Sequence, residues 1–155
     1  MKRNFIAFLC ATGAFFIGLF VGLSVDTKIQ IEEKPHIEEN LHGELVSVYD
    51  GDTVKVNIPN WPSEIMPISV RVRGIDTPEI RGKCEKEKAQ AKQARDFLQA
   101  MLENAKTIHL KAVEKGKYFR LIADVYADEK NVAELLILNG MARKYDGGKR
   151  LPWCE

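Results

Sequence analysis

The sequence predicts an α+β domain that consists mainly of β-strands, with five strands and two helices. This domain follows an apolar N-terminal segment. Three observations predict this order. The chain opens with a run of about 21 residues, 5–25, that carries no charged side chain. Segments in which apolar and polar residues alternate come next, and one long stretch repeats its apolar residues at helical spacing. The 155 residues have a net charge of only +1, so any nucleic-acid function requires a local site.

The apolar segment 5–25 is long enough to cross the hydrocarbon core of a bilayer. Lys2 and Arg3 precede it, which predicts a cytoplasmic N-terminus and an extracytoplasmic remainder. A signal anchor is favoured over a signal peptide because no good small-x-small cleavage site follows. Residues 26–40 are acidic, contain a proline and predict a linker. We therefore expect residues 41–155 to form a membrane-anchored domain in the periplasm or at the cell exterior, or a secreted one if the segment is cleaved.

The predicted domain begins with a β-hairpin. Residues 44–49 and 53–58 alternate between apolar and polar, and the Asp-Gly pair between them is a common hairpin turn. A loop punctuated by prolines, 59–64, leads to a third alternating strand at 69–75. The first half of the domain is therefore expected to be three consecutive strands.

In the second half of the domain, the sequence predicts two helices and two further strands. Residues 85–104 carry an apolar stripe at helical spacing, and their charged residues are most simply a solvated helix face. Strands are predicted at 107–113 and 121–126, and a short apolar helix at 132–139 is stopped by Gly140. The order β-β-β-α-β-β-α suits a five-stranded OB-fold barrel with helices packed on it.

Acidic and hydroxyl side chains stand at the ends of two predicted strands. Asp52 follows the hairpin turn, whereas Asp76, Thr77 and Glu79 leave the third strand. Taken singly, each group is typical of an ordinary turn or a strand-to-helix linker. If the barrel closes, however, the two strand ends are neighbours, and the four side chains share one site.

Together with two arginines, Arg71 and Arg120, these residues match four separated motifs of a known family in the same order. The motifs occupy residues 49–54 (YDGDTV), 71–79 (RVRGIDTPE), 117–123 (KYFRLIA) and 126–128 (YAD). The chain resembles the staphylococcal nuclease (thermonuclease) family from residue 41 to about 145. This resemblance implies an OB-fold and a calcium-dependent phosphodiesterase that cleaves DNA and RNA and leaves 3′-phosphate ends.

The resemblance also implies a metal site and a general base. Asp52, Asp76 and the backbone carbonyl of Thr77 are expected to bind Ca²⁺, which prefers hard oxygen ligands. Glu79 is expected to deprotonate a water for in-line attack on phosphorus. No soft ligand belongs to this set.

Basic and aromatic residues complete the expected site. Arg71 and Arg120 present planar forks to the nonbridging phosphate oxygens, where charge gathers in the transition state. Lys117 and Tyr118 are expected to hold a neighbouring phosphate, so base specificity is expected to be low. Tyr145 is the candidate for the family's substrate-stacking tyrosine, with simple packing as the alternative.

One departure from the family pattern leaves an alternative function open. Phe119 stands where the family usually has glycine, beside Arg120. The alternative is a catalytically weak or inactive OB domain that still binds nucleic acid. The expected partners are DNA and RNA, preferably single-stranded or locally opened, and the membrane through residues 5–25; no obligate protein partner is expected.

The three cysteines fall in different parts of the chain. Cys10 lies inside the apolar run, which leaves Cys84 and Cys154 as a pair. In an oxidising compartment this pair is expected to form a disulfide that closes a loop of about 70 residues. Two free thiols are the alternative, and a zinc site is disfavoured because two cysteines and scattered histidines supply too few ligands.

Overall fold

The computed structural model describes residues 40–154. The predicted anchor at 5–25 and all but the last residue of the predicted linker lie outside the described residues. Between residues 40 and 154, no helix has both the length and the apolar character that a bilayer crossing requires.

The described chain contains eight strands, two α-helices and one short 3-10 helix. The strands are β1 (Asn40–Asp50), β2 (Thr53–Asn57), β3 (Ile68–Val72), β4 (Ile75–Asp76), β5 (Ile108–Lys115), β6 (Leu121–Ala127), β7 (Lys130–Asn131) and β8 (Arg143–Lys144). The α-helices are α1 (Glu85–Glu103) and α2 (Val132–Leu138), and the 3-10 helix is Ser63–Ile65.

Five of these strands close into a barrel, in agreement with the predicted OB-fold. The strands are hydrogen-bonded in the order β3-β2-β1-β5-β6, and β3 then pairs with β6 to complete the ring. That last pairing is parallel, with Val70 opposite Leu121 and Val72 opposite Ala123. All other neighbours in the ring are antiparallel.

The barrel interior is built from the alternating residues of the strands. Every second residue of β6, from Leu121 to Ala127, is buried, as the period of a strand requires. Helix α1 lies against β1 and buries an apolar stripe that includes Leu98 and Leu102. Because Leu98 is fully buried, truncation to alanine is expected to cost about 2 to 5 kcal/mol.

The predicted third strand, 69–75, was wrong as one continuous element. Strand β3 ends at Val72, and the chain turns at Gly74, whose φ of 78° is a left-handed value that suits glycine. The chain then forms the two-residue strand β4, in which Ile75 and Asp76 pair antiparallel with β8. This turn redirects Asp76 out of the barrel wall and into a separate small sheet with the C-terminal segment.

The hairpin turn between β1 and β2 packs directly against two other elements. A Cβ atom at Gly51 would lie only 2.7 Å from the Ala94 Cβ of α1 and 2.9 Å from Cγ2 of Thr77. Residue 51 must therefore be glycine, because the turn packs too closely against Ala94 and Thr77 to leave room for a Cβ atom. This packing places the turn that carries Asp52 beside Thr77.

Candidate active site

The structure brings the acidic side chains of two strand ends into one cluster. Asp50 and Asp52 come from the β1–β2 turn, and Asp76 and Thr77 come from β4 and the residue after it; all four are at most 6% exposed. Glu79 lies at the edge of the same cluster with 43% of its side chain exposed. Buried carboxylates in such a group repel one another and need cationic or hydrogen-bonding partners.

Arg71 is the internal partner of Asp52. Its Nη1 lies 2.9 Å from Oδ1 and its Nη2 lies 2.8 Å from Oδ2, which is a two-point, fork-to-fork pair. Nη2 also donates to the carbonyl oxygen of Ile75 at 3.2 Å, and the Thr53 hydroxyl donates to Asp52 at 2.8 Å. The sheet produces this contact because Arg71 on β3 stands directly opposite Thr53 on β2.

The unfavourable charge of the cluster is visible in two carboxyl groups. Burial, and next the charge of Asp52, raise the pKa of Asp50 to about 7. Burial also raises the pKa of Asp52, although the Arg71 guanidinium acts in the opposite direction. Burial is the larger cause and repulsion within the cluster adds to it, so the partners of these two carboxyl groups do not fully stabilise their ionised forms.

The same residues fit a hard divalent cation. Oδ1 of Asp76 is buried and accepts no hydrogen bond from any described residue. Asp52 and Asp76 offer carboxylate oxygens, the Thr77 carbonyl is a third oxygen donor of the kind that Ca²⁺ prefers, and no sulfur or imidazole ligand is needed. An oxygen-only donor set in a cluster of buried carboxylates therefore fits a hard divalent cation.

The C-terminal segment reaches into this cluster, which the sequence reasoning missed. Nε of Arg150 lies 2.9 Å from Oδ1 of Asp76, an ion pair without hydrogen-bond geometry. Nη1 of the same arginine pairs with Oε1 of Glu79. On the other side of Asp76, the Trp153 indole Nε1 donates to Oδ2 at 3.1 Å. Both oxygens of Asp76 therefore face groups from the segment 150–153.

Covalent and stacking contacts hold that segment in place. A disulfide joins Cys84 and Cys154, the pair that remained once Cys10 was assigned to the apolar run, with their Cα atoms 5.9 Å apart. The Arg143 guanidinium lies over the Trp153 ring at 3.8 Å, and its Nη1 donates to the carbonyl oxygen of Pro152 at 3.0 Å. The adjacency of Trp153 to Cys154 was the one sequence signal that could have placed this tryptophan at the site.

Glu87 of α1 fixes the loop that carries Glu79. Its Oε2 accepts the backbone N–H of Lys83 at 2.9 Å, and its Oε1 accepts that of Glu79 at 3.4 Å. The prediction that the charged residues of this helix form a solvated face was wrong for Glu87, which is 8% exposed. It is buried because two loop amides, which a periodicity analysis cannot anticipate, supply its hydrogen bonds.

The remaining predicted residues lie at the periphery of the cluster or away from it. Among residues 40–154, no carboxylate forms an ion pair with Arg120, and its buried Nε lacks a hydrogen bond. Lys117 and Tyr118 are exposed at the turn between β5 and β6. Tyr145 donates its hydroxyl to the Gly148 carbonyl at 2.8 Å.

Comparison with known proteins decides the family. The family described as staphylococcal nuclease homologue matches residues 69–150, which is more than half of the chain. The chain belongs to the staphylococcal nuclease family. This matched range includes β3, β4, α1, β5, β6, α2 and the segment up to Arg150.

Individual proteins similar to this chain carry endonuclease names. The chain is 29% identical over 122 residues to "Endonuclease Htp3" of Saprolegnia parasitica, which covers 70% of this chain and 57% of that protein. It is 26% identical over 113 residues to an "Uncharacterized endonuclease" of Escherichia coli O157:H7, which covers 72% of this chain and 66% of that protein. The chain thus spans about three fifths to just under two thirds of the relatives' length.

Proposed function

We propose that this nuclease-family chain is a calcium-dependent endonuclease that hydrolyses phosphodiester bonds of DNA and RNA with low sequence specificity and leaves 3′-phosphate ends. The observation that carries the proposal is the pairing of Arg71 with Asp52 beside the buried Asp76 carboxylate, whose Oδ1 accepts no hydrogen bond from the described residues. A phosphate-binding cation and a metal-binding anion thereby share one buried site.

Arg71 has donors left for substrate after it has positioned Asp52. A guanidinium carries five N–H groups, and Arg71 donates one to Asp52 and one to Ile75, while Nη2 also forms an ion pair with Oδ2 of Asp52. Its remaining N–H groups are available to nonbridging phosphate oxygens, and such hydrogen bonds become stronger as charge accumulates on these oxygens in the transition state. Lysine would keep the charge but lose the two-point geometry.

Asp52, Asp76 and the Thr77 carbonyl are the proposed calcium ligands. When bound, Ca²⁺ supplies positive charge that polarises the phosphoryl group. The chain's own contribution is a buried, oxygen-lined site whose geometry is held by Arg71 and by the close packing of Gly51 on Thr77.

Glu79 is the proposed general base. It takes a proton from a water whose oxygen attacks phosphorus, the bond from phosphorus to the 5′ oxygen breaks, and that oxygen takes up a proton from solvent to become a hydroxyl, so the phosphate remains on the 3′ side. Glu87 holds the Glu79 backbone, Arg150 contacts its carboxylate, and its partial exposure gives water access. General-base assistance of this kind is typically worth about 10² to 10⁴ in rate.

The remaining substrate contacts are proposed from the positions of four side chains. Arg120 has a buried Nε without a partner, which is an unused donor for a phosphate oxygen. Lys117 and Tyr118 are exposed for contact with a neighbouring phosphate. Tyr145, whose ring lies beside Arg150 at 6.0 Å, is proposed to contact a base. Contacts made mainly to phosphates support low sequence specificity.

The proposed cellular location is extracytoplasmic, with the domain anchored through residues 5–25 or released after cleavage. The basic residues before this segment and its length support that orientation. The disulfide between Cys84 and Cys154 is the kind of bond that persists in oxidising compartments.

The decisive experiment compares cleavage by matched arginine variants. Labelled single-stranded DNA and RNA are incubated with calcium and with the wild type, Arg71→Ala or Arg95→Ala. Arg95 is the control because it lies on α1, where Asp96 is its only ion-pair partner among residues 40–154. We expect kcat to fall about 100-fold or more in Arg71→Ala and to stay unchanged in Arg95→Ala. Binding without cleavage by the wild type would favour the nucleic-acid-binding alternative.

A further inference from the structure

The turn between β5 and β6 has a backbone that its sequence does not favour. The N–H of Gly116 donates to the Arg120 carbonyl at 2.8 Å, which closes the turn. Inside it, Tyr118 and Phe119 have φ values of 58° and 55°, so two consecutive bulky residues adopt the left-handed conformation. Asparagine and glycine are the usual residues at such positions, because side chains with a Cβ crowd the backbone there.

Packing does not compensate for this strain. The side chain of Tyr118 is 88% exposed and that of Phe119 is 94% exposed, the highest values among the large apolar residues of the described chain. The left-handed backbone and the exposure of aromatic surface to water each destabilise the folded state. A strained outlier that the fold itself does not use points to a function at that position.

The charges around the two rings indicate the kind of ligand. Lys115, the last residue of β5, and Lys117, in the turn, are both exposed, and neither forms an ion pair with a residue in the range 40–154. Exposed aromatic rings beside such cations are the combination with which proteins hold single-stranded nucleic acids: bases stack on the rings, and the cations follow the phosphates.

The turn also lies within reach of the proposed catalytic site. Ile122 on β6 is the register partner of Arg71 on β3. Phe119 precedes Ile122 by three residues, so even a fully extended chain would separate them by at most about 10 Å. A strand bound at Arg71 can therefore present a base one or two nucleotides away to the turn.

We propose that Phe119 forms a base-stacking platform for single-stranded or locally opened nucleic acid, with Tyr118, Lys115 and Lys117 on the phosphates of the same strand. The platform rests on the proposed nuclease function and adds a base contact to its proposed substrate site. It assigns a role to Phe119, the residue that replaces the family's usual glycine.

The test measures binding and cleavage separately on the full chain. A fluorescent oligothymidylate is titrated with the wild type and Phe119→Gly in a calcium chelator, where no turnover is expected, and KM is then measured in calcium. Phe119→Gly suits the left-handed backbone, so its melting temperature should be equal or higher while its affinity falls about 5- to 100-fold. Phe119→Trp should retain affinity. Leu138→Ala, at an exposed apolar residue on α2, is the control and should bind like the wild type.

Each outcome separates the platform from the nuclease proposal. If the wild type binds the oligonucleotide and Phe119→Gly does not, but neither cleaves it in calcium, the platform stands and the nuclease function fails. Equal dissociation constants and equal KM values for the wild type and Phe119→Gly would overturn the platform. A loss confined to binding of vesicles with anionic lipids would also overturn it, because the turn would then contact a membrane surface.

Discussion

Replacement of Asp50 by asparagine tests the electrostatic account of the acidic cluster. The Asp50 carboxyl has its pKa raised from 3.8 to about 7 by burial and by Asp52. Between these two values the native protein binds more protons than the unfolded chain, so the free energy of unfolding falls as pH rises through this window. Asparagine keeps an oxygen that can accept the Asp52 backbone N–H, which now donates to Asp50 Oδ1 at 3.2 Å, but it carries no charge.

The magnitude follows from the size of the pKa change. One pKa unit corresponds to about 1.4 kcal/mol, so a rise from 3.8 to about 7 sets a ceiling of about 4 kcal/mol on the stabilisation by Asp50→Asn above pH 7. Asp52 shares the repulsion and titrates together with Asp50, so we expect about 1 to 4 kcal/mol. In a domain of this size, that raises the melting temperature by several degrees.

Thermal unfolding of both proteins in a calcium chelator, from pH 4 to pH 8, measures this effect. We expect the two melting temperatures to converge near pH 4 and to diverge in favour of Asp50→Asn above pH 7. Saturating calcium should reduce the difference, because a nearby cation stabilises the ionised carboxylate. A difference that is independent of pH, or a variant that is less stable at pH 8, would refute this electrostatic account of the cluster.

Three further variants test the site and its support. Arg71→Lys keeps the charge but loses the fork, so kcat should fall about 100-fold or more in steady-state assays, and an unchanged kcat would contradict the role of Arg71. Arg150→Gln removes a cation 2.9 Å from Asp76, so calorimetry should show calcium affinity about tenfold higher or more, and equal or weaker affinity would mean that Arg150 does not oppose the metal. Cys154→Ser opens a disulfide between residues 70 positions apart, so it should cost about 2 to 4 kcal/mol and several degrees in melting temperature; equal melting curves without reductant would argue against the bond.

The barrel could be predicted because its strands carry their burial pattern locally. Residues 53–58 and 121–126 alternate in sequence, and β2 and β6 bury every second residue in the structure. The small strands β4, β7 and β8 could not be predicted, since two residues are too few to show a period. The turn at Gly74 was hidden for a related reason: the alternation of β3 continues in sequence through the point where the backbone turns.

The residues of the candidate site likewise fall into two groups: those that local sequence motifs identify, and those that depend on tertiary contacts. Asp52 and Asp76 could be named because they follow recognisable strands inside motifs of a known family. Arg150 and Glu87 could not, because their contacts depend on the path of the C-terminal segment and on the loop at 79–83. A salt bridge between residues 71 positions apart leaves no periodic trace in the sequence.

The central claim, a calcium-dependent nuclease, is tested most directly by digestion of end-labelled single-stranded DNA with calcium, with a calcium chelator, and with calcium restored. We expect cleavage in calcium, loss of cleavage in chelator, recovery on restoration, and product fragments that carry 3′-phosphate and 5′-hydroxyl ends. Asp52→Asn should stay inactive in all three conditions, because it removes a proposed metal ligand and the partner of Arg71. Undiminished cleavage by the wild type in excess chelator, or products with 5′-phosphate ends, would contradict the account.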